Sequence, residues 1–116
     1  MAIAVPNDSF DLIESLSADL HLSVKEVGEL LDIHPRTLLR RQDAGRLEEA
    51  ELLKAQMVEE AFDFAVLALG DDSAARKWLF SELPALEFAR PIDLLTSIKG
   101  YERVKALLGQ TVFGTY

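Results

Sequence analysis

Residues 78–116 read WLFSELPALEFARPIDLLTSIKGYERVKALLGQTVFGTY, a stretch in which short helical runs are separated by proline and glycine. Pro84 and Pro91 end or begin helical turns, because proline has a fixed φ and no backbone N–H to donate. Beyond them, apolar residues recur at intervals of three and four, which is the spacing of one helix face. The stretch therefore predicts a short helix over residues 92–96 and a last helix that Ser97 caps.

The rest of the sequence has the same helical periodicity and no alternating strand pattern. Further helices are predicted over residues 10–21, 23–32, 35–45, 48–69 and 71–82. Asp8 or Ser9 is placed to cap the first helix, Ser23 and Glu26 form a capping box, and Gly45 ends the third helix. We expect an all-α fold of about seven helices. The apolar side chains expected inside are Leu30, Leu31, Leu38, Leu39, Leu52, Leu53, Met57, Trp78, Leu94, Leu95, Ile98, Val104 and Leu108.

The composition is that of an ordinary globular chain, with 116 residues, 49% of them hydrophobic and 28% charged. This length predicts one domain or two very small packed units. The net charge of −8 disfavours a polyanion as the main ligand and favours a basic protein partner. No signal peptide is visible, and the apolar run at residues 64–69 is too short to cross a bilayer. We therefore expect a cytoplasmic protein.

Catalytic motifs are absent from the sequence. There is no cysteine, which excludes disulfides, thiolate zinc sites and cysteine nucleophiles. His21 and His34 are the two imidazoles, and neither has a second ligand at a metal-binding spacing. The chain has no glycine-rich phosphate loop and no G-x-S-x-G motif. We expect no enzymatic activity, no bound metal and no cofactor.

Residues 23–45 follow the pattern of a helix-turn-helix, with a turn at residues 32–35 between two short helices. Residues 36–46 contain four arginines and one acid, although residues 1–47 as a whole carry eight acids and five bases. Arginine binds guanine edges and phosphates, so the pattern favours DNA binding; the alternative is a helical corner with a solvated basic face. The candidate DNA-binding residues are Lys25, Arg36, Thr37, Arg40, Arg41 and Gln42.

Residues 61–69 are apolar on almost every side of the predicted fourth helix. Such a segment has to be covered on most sides, either as the central helix of the fold or as an interface between two copies. We expect a homodimer, because operator binding also favours a two-fold arrangement of two half-sites.

The C-terminal half resembles the toxin-binding domain of antitoxins in the MbcA/ParS/Xre family. The resemblance is carried by Trp78, residues 90–95 and the Val104, Gly109 and Gly114-x-Tyr116 pattern at the end of the chain. It implies an antitoxin of a type II pair whose toxin carries the RES domain, which is similar to ADP-ribosyltransferases and consumes NAD.

The same resemblance implies an order of regions and a mode of action. An Xre-like helix-turn-helix commonly precedes the toxin-binding domain in this family, which here corresponds to residues 1–47 followed by residues 48–116. The implied function is neutralisation by occlusion of the toxin's NAD-binding cleft, together with repression of the antitoxin's own operon. The chain itself would bind no NAD.

The last five residues suit a segment that enters a cleft, because a chain end can do so without closing a loop. The residues at 112, 113 and 116 supply apolar and aromatic anchors, and the carboxylate of Tyr116 can pair with an arginine. The candidate toxin-binding residues are Arg90, Arg103, Lys105, Val112, Phe113, Gly114 and Tyr116. Five of them have an alternative: the tail aromatics Phe113 and Tyr116 pack back on the domain, Arg90 caps a helix end, and the two cations of the last helix are solvated.

A stand-alone dimeric helix-turn-helix regulator without a toxin partner is the alternative function. In that case the C-terminal half only dimerises, and deletion of residues 112–116 would leave the function unchanged apart from stability.

Overall fold

The structure, a computed structural model, describes residues 5–113, with side chains described as far as residue 111. Within this part of the chain there are six α-helices and two 3-10 helices, and there is no strand. The α-helices are α1 (Asp11–Leu20), α2 (Val24–Leu30), α3 (Pro35–Ala44), α4 (Glu49–Leu69), α5 (Asp72–Leu79) and α6 (Ile98–Phe113), and the 3-10 helices are Pro84–Leu86 and Pro91–Leu94. The all-α prediction is therefore confirmed.

The chain divides into two compact units, Met1–Gln56 and Met57–Tyr116, and the division falls inside α4. Each unit has its own set of buried apolar side chains. The sequence instead predicts a boundary before α4, between functional regions at residues 1–47 and 48–116. These regions stay a prediction about function, because a compact unit is defined by packing alone.

In the first unit, a buried serine links two segments that are distant in sequence. Ser9 is buried, and its hydroxyl accepts a hydrogen bond from the backbone N–H of Leu47 at 2.8 Å. This bond ties the segment before α1 to the segment before α4. Phe10 occupies the N-cap position of α1 without a side-chain cap, so the expectation that Asp8 or Ser9 caps this helix was wrong.

In the first unit, α2 and α3 are joined by a short turn with well-defined ends. Ser23 and Glu26 form the predicted capping box of α2, with bonds of 3.0 and 2.9 Å. The pKa of Glu26 lies below its ordinary value, because its carboxylate accepts the backbone N–H of Ser23. Asp32 in the turn has a φ of 59°, and the imidazole of His34 caps α3 by accepting the N–H of Arg36 at 3.1 Å.

The close approach of α2 and α3 depends on a glycine. A Cβ at Gly28 would lie 2.8 Å from a methyl group of Leu38, a distance at which the Leu38 side chain would have to move. Val27, Leu31 and Ile33 are buried beside this contact. The two helices therefore pack closely at this point.

The second unit is built from short elements packed on buried apolar residues. Asp71 caps α5 by accepting the N–H of Ala74 at 2.7 Å, and Ser97 caps α6 by accepting the N–H of Gly100 at 3.0 Å. Leu95, Val104 and Leu108 are buried, as expected from the spacing. The segment predicted as a helix over residues 92–96 is the 3-10 helix Pro91–Leu94.

Several side chains expected inside are found at the surface. Leu39 and Ile98 are each 61% exposed, and Leu53 is 47% exposed. Trp78 and Leu94 are half-buried. The physical reason is that these helices are covered on one side only, so that adjacent apolar residues in a helix cannot all face the same core.

Candidate interaction surfaces

Most of the candidate DNA-binding residues lie on the solvent side of α2 and α3. Lys25, Arg36, Arg40 and Gln42 are exposed. Thr37 is half-buried, and its hydroxyl accepts a hydrogen bond from Arg40 at 3.3 Å. Two of the candidates, Lys25 and Gln42, also line a groove of about 280 Å³, together with Val24, Pro35, Leu38 and Leu39. The two helices thus expose three basic side chains and the apolar Leu39.

Arg41 has a different environment from the other candidates. Its guanidinium pairs with Glu51 at 2.7 Å and with Glu48 at 3.3 Å, and its side chain is only 18% exposed. The hydrogen bond to Glu51, together with the two nearby negative charges, raises the pKa of Arg41. Arg41 therefore joins the end of α3 to the start of α4, and it would have to leave both carboxylates to contact DNA.

Arg90 in the second unit has partners within the domain. Its guanidinium donates two hydrogen bonds to Asp93, at 2.8 and 2.9 Å, and lies 5.7 Å from the centre of the Phe80 ring. The hydrogen bond to Asp93 raises the pKa of Arg90. The guanidinium is exposed and already holds the start of the second 3-10 helix.

Arg103 and Lys105 extend from α6 in the same unit. Arg103 donates to the carbonyl oxygen of Ala85 at 3.0 Å and pairs with the carboxylate of Glu87. Lys105 lies 5.2 Å from the centre of the Tyr101 ring. Arg103 thus holds the loop after α5 against α6, whereas Lys105 lies exposed beside an aromatic ring.

The Tyr101 hydroxyl donates a hydrogen bond to the carboxylate of Glu60 on α4. Burial first, and then this hydrogen bond, raise the pKa of the tyrosine above its ordinary value of 10.0. This contact joins α6 to the half of α4 that belongs to the second unit.

The predicted toxin-binding tail lies largely beyond what the structure describes. The backbone of α6 continues through Val112 to Phe113, but the side chains of these two residues are outside the described part. Gly114 and Tyr116 are also outside the described residues. Their roles stay predictions.

Sequence reasoning missed an exposed aromatic residue in the loop that Arg103 holds. Phe88 is 65% exposed and has a φ of 66°. Its loop also forms one wall of a groove of about 250 Å³, lined by Ala85, Leu86, Arg103, Ala106, Leu107 and Gln110. Only glycine or asparagine would have signalled a positive φ in the sequence, and positions 87 and 88 hold glutamate and phenylalanine.

The described residues form neither a metal-binding cluster nor a membrane-spanning helix. No three His, Asp or Glu side chains in residues 5–111 come together in a way that could hold a metal ion. None of the described helices combines the length and apolar character that crossing a bilayer requires.

Comparison with known proteins agrees with the resemblance noted in the C-terminal half. A family model described as "Antitoxin Xre/MbcA/ParS C-terminal toxin-binding domain" matches residues 64–114. The chain is 34% identical over 99 residues to the Mycobacterial cidal antitoxin MbcA of Mycobacterium bovis, an alignment that covers 84% of this chain and 85% of that protein. The same figures hold for the Mycobacterial cidal antitoxin MbcA of Mycobacterium tuberculosis. The alignment extends over most of both compact units, and the chain therefore belongs to the Xre/MbcA/ParS family of antitoxins.

Proposed function

We propose that this chain neutralises a RES-domain toxin of a type II toxin–antitoxin pair by occluding the cleft in which the toxin binds NAD. The observation that carries the proposal is the match of residues 64–114 to the toxin-binding domain of the family. Toxin and antitoxin would meet in the cytoplasm. The chain acts as an inhibitor, and no reaction is assigned to its own residues.

The packing of α6 supports a role for the segment at its C-terminal end. Val104 and Leu108 fix one face of this helix in the core, and the helix continues to Phe113. A tail that begins on a fixed helix loses less conformational entropy on binding than a tail on a flexible linker. Residues 112–116 would then enter the toxin cleft with their aromatic side chains as anchors.

The exposed cations of the second unit contribute to toxin binding mainly by stabilising the surface that the toxin contacts. Arg90 and Arg103 already hold carboxylates, so direct contact with the toxin would require exchange of those partners. Their contribution is to maintain the loop and the 3-10 helix that carry the surface. Lys105 is exposed and is available for an acidic group of the toxin.

A paired substitution in the tail tests the proposal. Phe113→Ala combined with Tyr116→Ala should weaken toxin binding at least tenfold and abolish neutralisation, because both aromatic anchors are lost. Thr111→Ala combined with Thr115→Ala is the matched control and should change the Kd less than threefold. Full neutralisation by the first double variant would exclude the tail as the inhibitory segment.

We also propose that the protein binds its own operator as a homodimer and represses its operon. The supporting observations are that α2 packs closely on α3 at Gly28 and that Lys25, Arg36 and Arg40 of these two helices are each exposed. Phosphate contacts from two protomers would offset the negative charge of the chain, because each neutralised phosphate releases counterions. A stand-alone regulator without a toxin stays the alternative.

A charge-matched pair of variants tests operator binding. Arg36→Ala with Arg40→Ala should lower affinity for the promoter fragment at least tenfold and leave toxin binding intact. Lys77→Ala with Lys99→Ala removes the same charge from exposed positions of the second unit and should have a much smaller effect. Equal losses in both double variants would mean that only net charge matters. A tail double variant that keeps all of its cellular function would favour the stand-alone regulator.

A further inference from the structure

The loop between α5 and the second 3-10 helix contains two consecutive residues in the left-handed conformation. Glu87 has a φ of 51° and Phe88 a φ of 66°, although neither is glycine. A side chain with a Cβ is disfavoured in this region, because the Cβ approaches the following carbonyl oxygen. Such a conformation persists only where the surrounding structure determines it, and it is concentrated at binding sites.

The loop is held in this conformation by a compact set of hydrogen bonds. The carbonyl oxygen of Leu83 accepts the N–H of Phe88 at 2.9 Å, and the N–H of Leu83 donates to Ala89 at 3.2 Å. Leu86 is buried and fixes the middle of the loop in the core. Arg103 on α6 holds the loop from the other side, through Ala85 and Glu87. The backbone at Phe88 is therefore fixed.

The fixed backbone displays the Phe88 ring to solvent. Burial of the ring would compensate for the backbone conformation, but 65% of the residue is exposed. A rigid aromatic side chain loses little conformational entropy on binding, and aromatic residues of this kind dominate the binding energy of many protein interfaces. The local structure is thus suited to insertion of the ring into a pocket of a partner.

The surroundings of the loop point to the toxin as that partner. The loop lies within residues 64–114, the part that matches the family's toxin-binding domain. It also forms a wall of the groove along Ala106, Leu107 and Gln110 of α6, the helix that leads to residues 112–116. The two arginines beside the loop, Arg90 and Arg103, are each paired with a carboxylate, which disfavours a nucleic acid as the occupant.

We propose that Phe88 is a rigid anchor that inserts into an apolar pocket of the toxin, outside the cleft that the tail occupies. This inference rests on the proposed neutralisation of a toxin. It adds a second contact region, formed by the strained loop and the neighbouring groove of α6. The loop fixes the orientation of the domain on the toxin, and the tail blocks the cleft.

The test compares substitutions at Phe88 in the full-length chain, with the purified RES-domain protein of the same operon as the probe. Phe88→Ala and Phe88→Gly should each raise the Kd at least tenfold, which corresponds to about 1.4 kcal/mol. Phe88→Tyr keeps the ring and should stay within threefold of the wild type. Ile98→Ala is the control, because Ile98 in the same unit is 61% exposed, close to the 65% of Phe88.

Thermal unfolding of the same variants separates binding from folding. Phe88→Gly should melt about 2–5 °C above Phe88→Ala, because glycine adopts the left-handed conformation without strain. A Kd within threefold of the wild type in Phe88→Ala, or an equal loss in Ile98→Ala, would overturn the inference and leave the proposed neutralisation standing. A wild-type chain that does not bind the toxin would overturn both.

Discussion

Gly100 lies in the first turn of α6, where the chain passes close to the second 3-10 helix. Its N–H donates to the hydroxyl of Ser97 at 3.0 Å. A Cβ at this position would lie 2.1 Å from the carbonyl oxygen of Leu94 and 2.9 Å from that hydroxyl. The close approach, and not a positive φ, is what requires glycine here. The start of α6 can therefore pack on the preceding element only with no side chain at position 100.

We predict that Gly100→Ala lowers the free energy of unfolding by about 2 kcal/mol or more, because backbone atoms have to move to admit the methyl group. Gly109 on the same helix has no atom within 4 Å of a Cβ position. Gly109→Ala should raise the free energy of unfolding by about 0.5–1 kcal/mol, since alanine favours the helix. Urea unfolding measures both changes, and destabilisation by both variants would contradict this account.

At the scale of single residues, the sequence predicts what local chemistry determines. The capping box of Ser23 and Glu26, and the left-handed Gly45 at the end of α3, were predicted correctly, because each depends on neighbours within one turn. The pairing of Arg41 and the strained Phe88 were not predicted. The carboxylates that pair with Arg41 lie at the start of the following helix, and the loop that contains Phe88 is held by Arg103 of α6, so both features depend on tertiary packing.

At the scale of elements, ion pairs and hydrogen bonds stabilise the junction of α3 and α4. Glu51 accepts hydrogen bonds from Arg41 at 2.7 Å and from the backbone N–H of Glu48 at 2.8 Å. Burial alone would raise the pKa of Glu51, but these two bonds and the charge of Arg41 lower it below its ordinary value of 4.5. The glutamate thus serves both as a helix cap and as an ion-pair partner.

We predict that this junction loses stability in acid. The pKa of Glu51 is lower in the folded chain than in the unfolded chain, so its contribution is present above pH 4.5 and is lost as the pH falls through the folded-state value. Glu51→Gln should therefore show a smaller loss of unfolding free energy between pH 7 and about pH 3 than the wild type. Glu49 is an exposed carboxylate of the same helix turn. Glu49→Gln is therefore the control, and its unfolding free energy should depend on pH as in the wild type.

Arg41→Ala tests the same junction at neutral pH. We predict a loss of about 1–2 kcal/mol of unfolding free energy, because hydrogen bonds to a partly buried charged group are removed. Arg40 is exposed, and Arg40→Ala should cost less than about 0.5 kcal/mol. The comparison has to be made before any DNA-binding defect of Arg41→Ala is assigned to a lost contact. Equal stabilities of the two variants would mean that the ion pairs are energetically neutral.

At the scale of the whole molecule, the helical periodicity of the sequence predicts the fold class correctly. It does not predict which apolar side chains are exposed. The helices follow from the spacing of the apolar residues along the sequence. Leu39, Leu53 and Ile98 are exposed because no other element among the described residues covers them. Leu67 on α4 is 73% exposed within the apolar segment 61–69, and this is the position where a second copy would bind. The proposed homodimer would cover it.

We predict that light scattering gives twice the chain mass of 12.9 kDa for the wild type. Leu67→Glu should give the single-chain mass with its thermal stability retained, because the residue is exposed in the single chain. Glu60 on the same helix already accepts the Tyr101 hydroxyl, so it is not a suitable site for this test. A monomeric wild type at working concentration would mean that the homodimer proposal is wrong.

The central claim is that the second unit binds a toxin and stops its consumption of NAD. The most direct measurement is NAD consumption by the purified RES-domain protein of the same operon, titrated with the chain tagged at its N-terminus so that Tyr116 remains free. We predict a linear loss of activity that ends at a fixed stoichiometric ratio, with activity restored when the chain is removed. A stable complex that consumes NAD at the undiminished rate would contradict it.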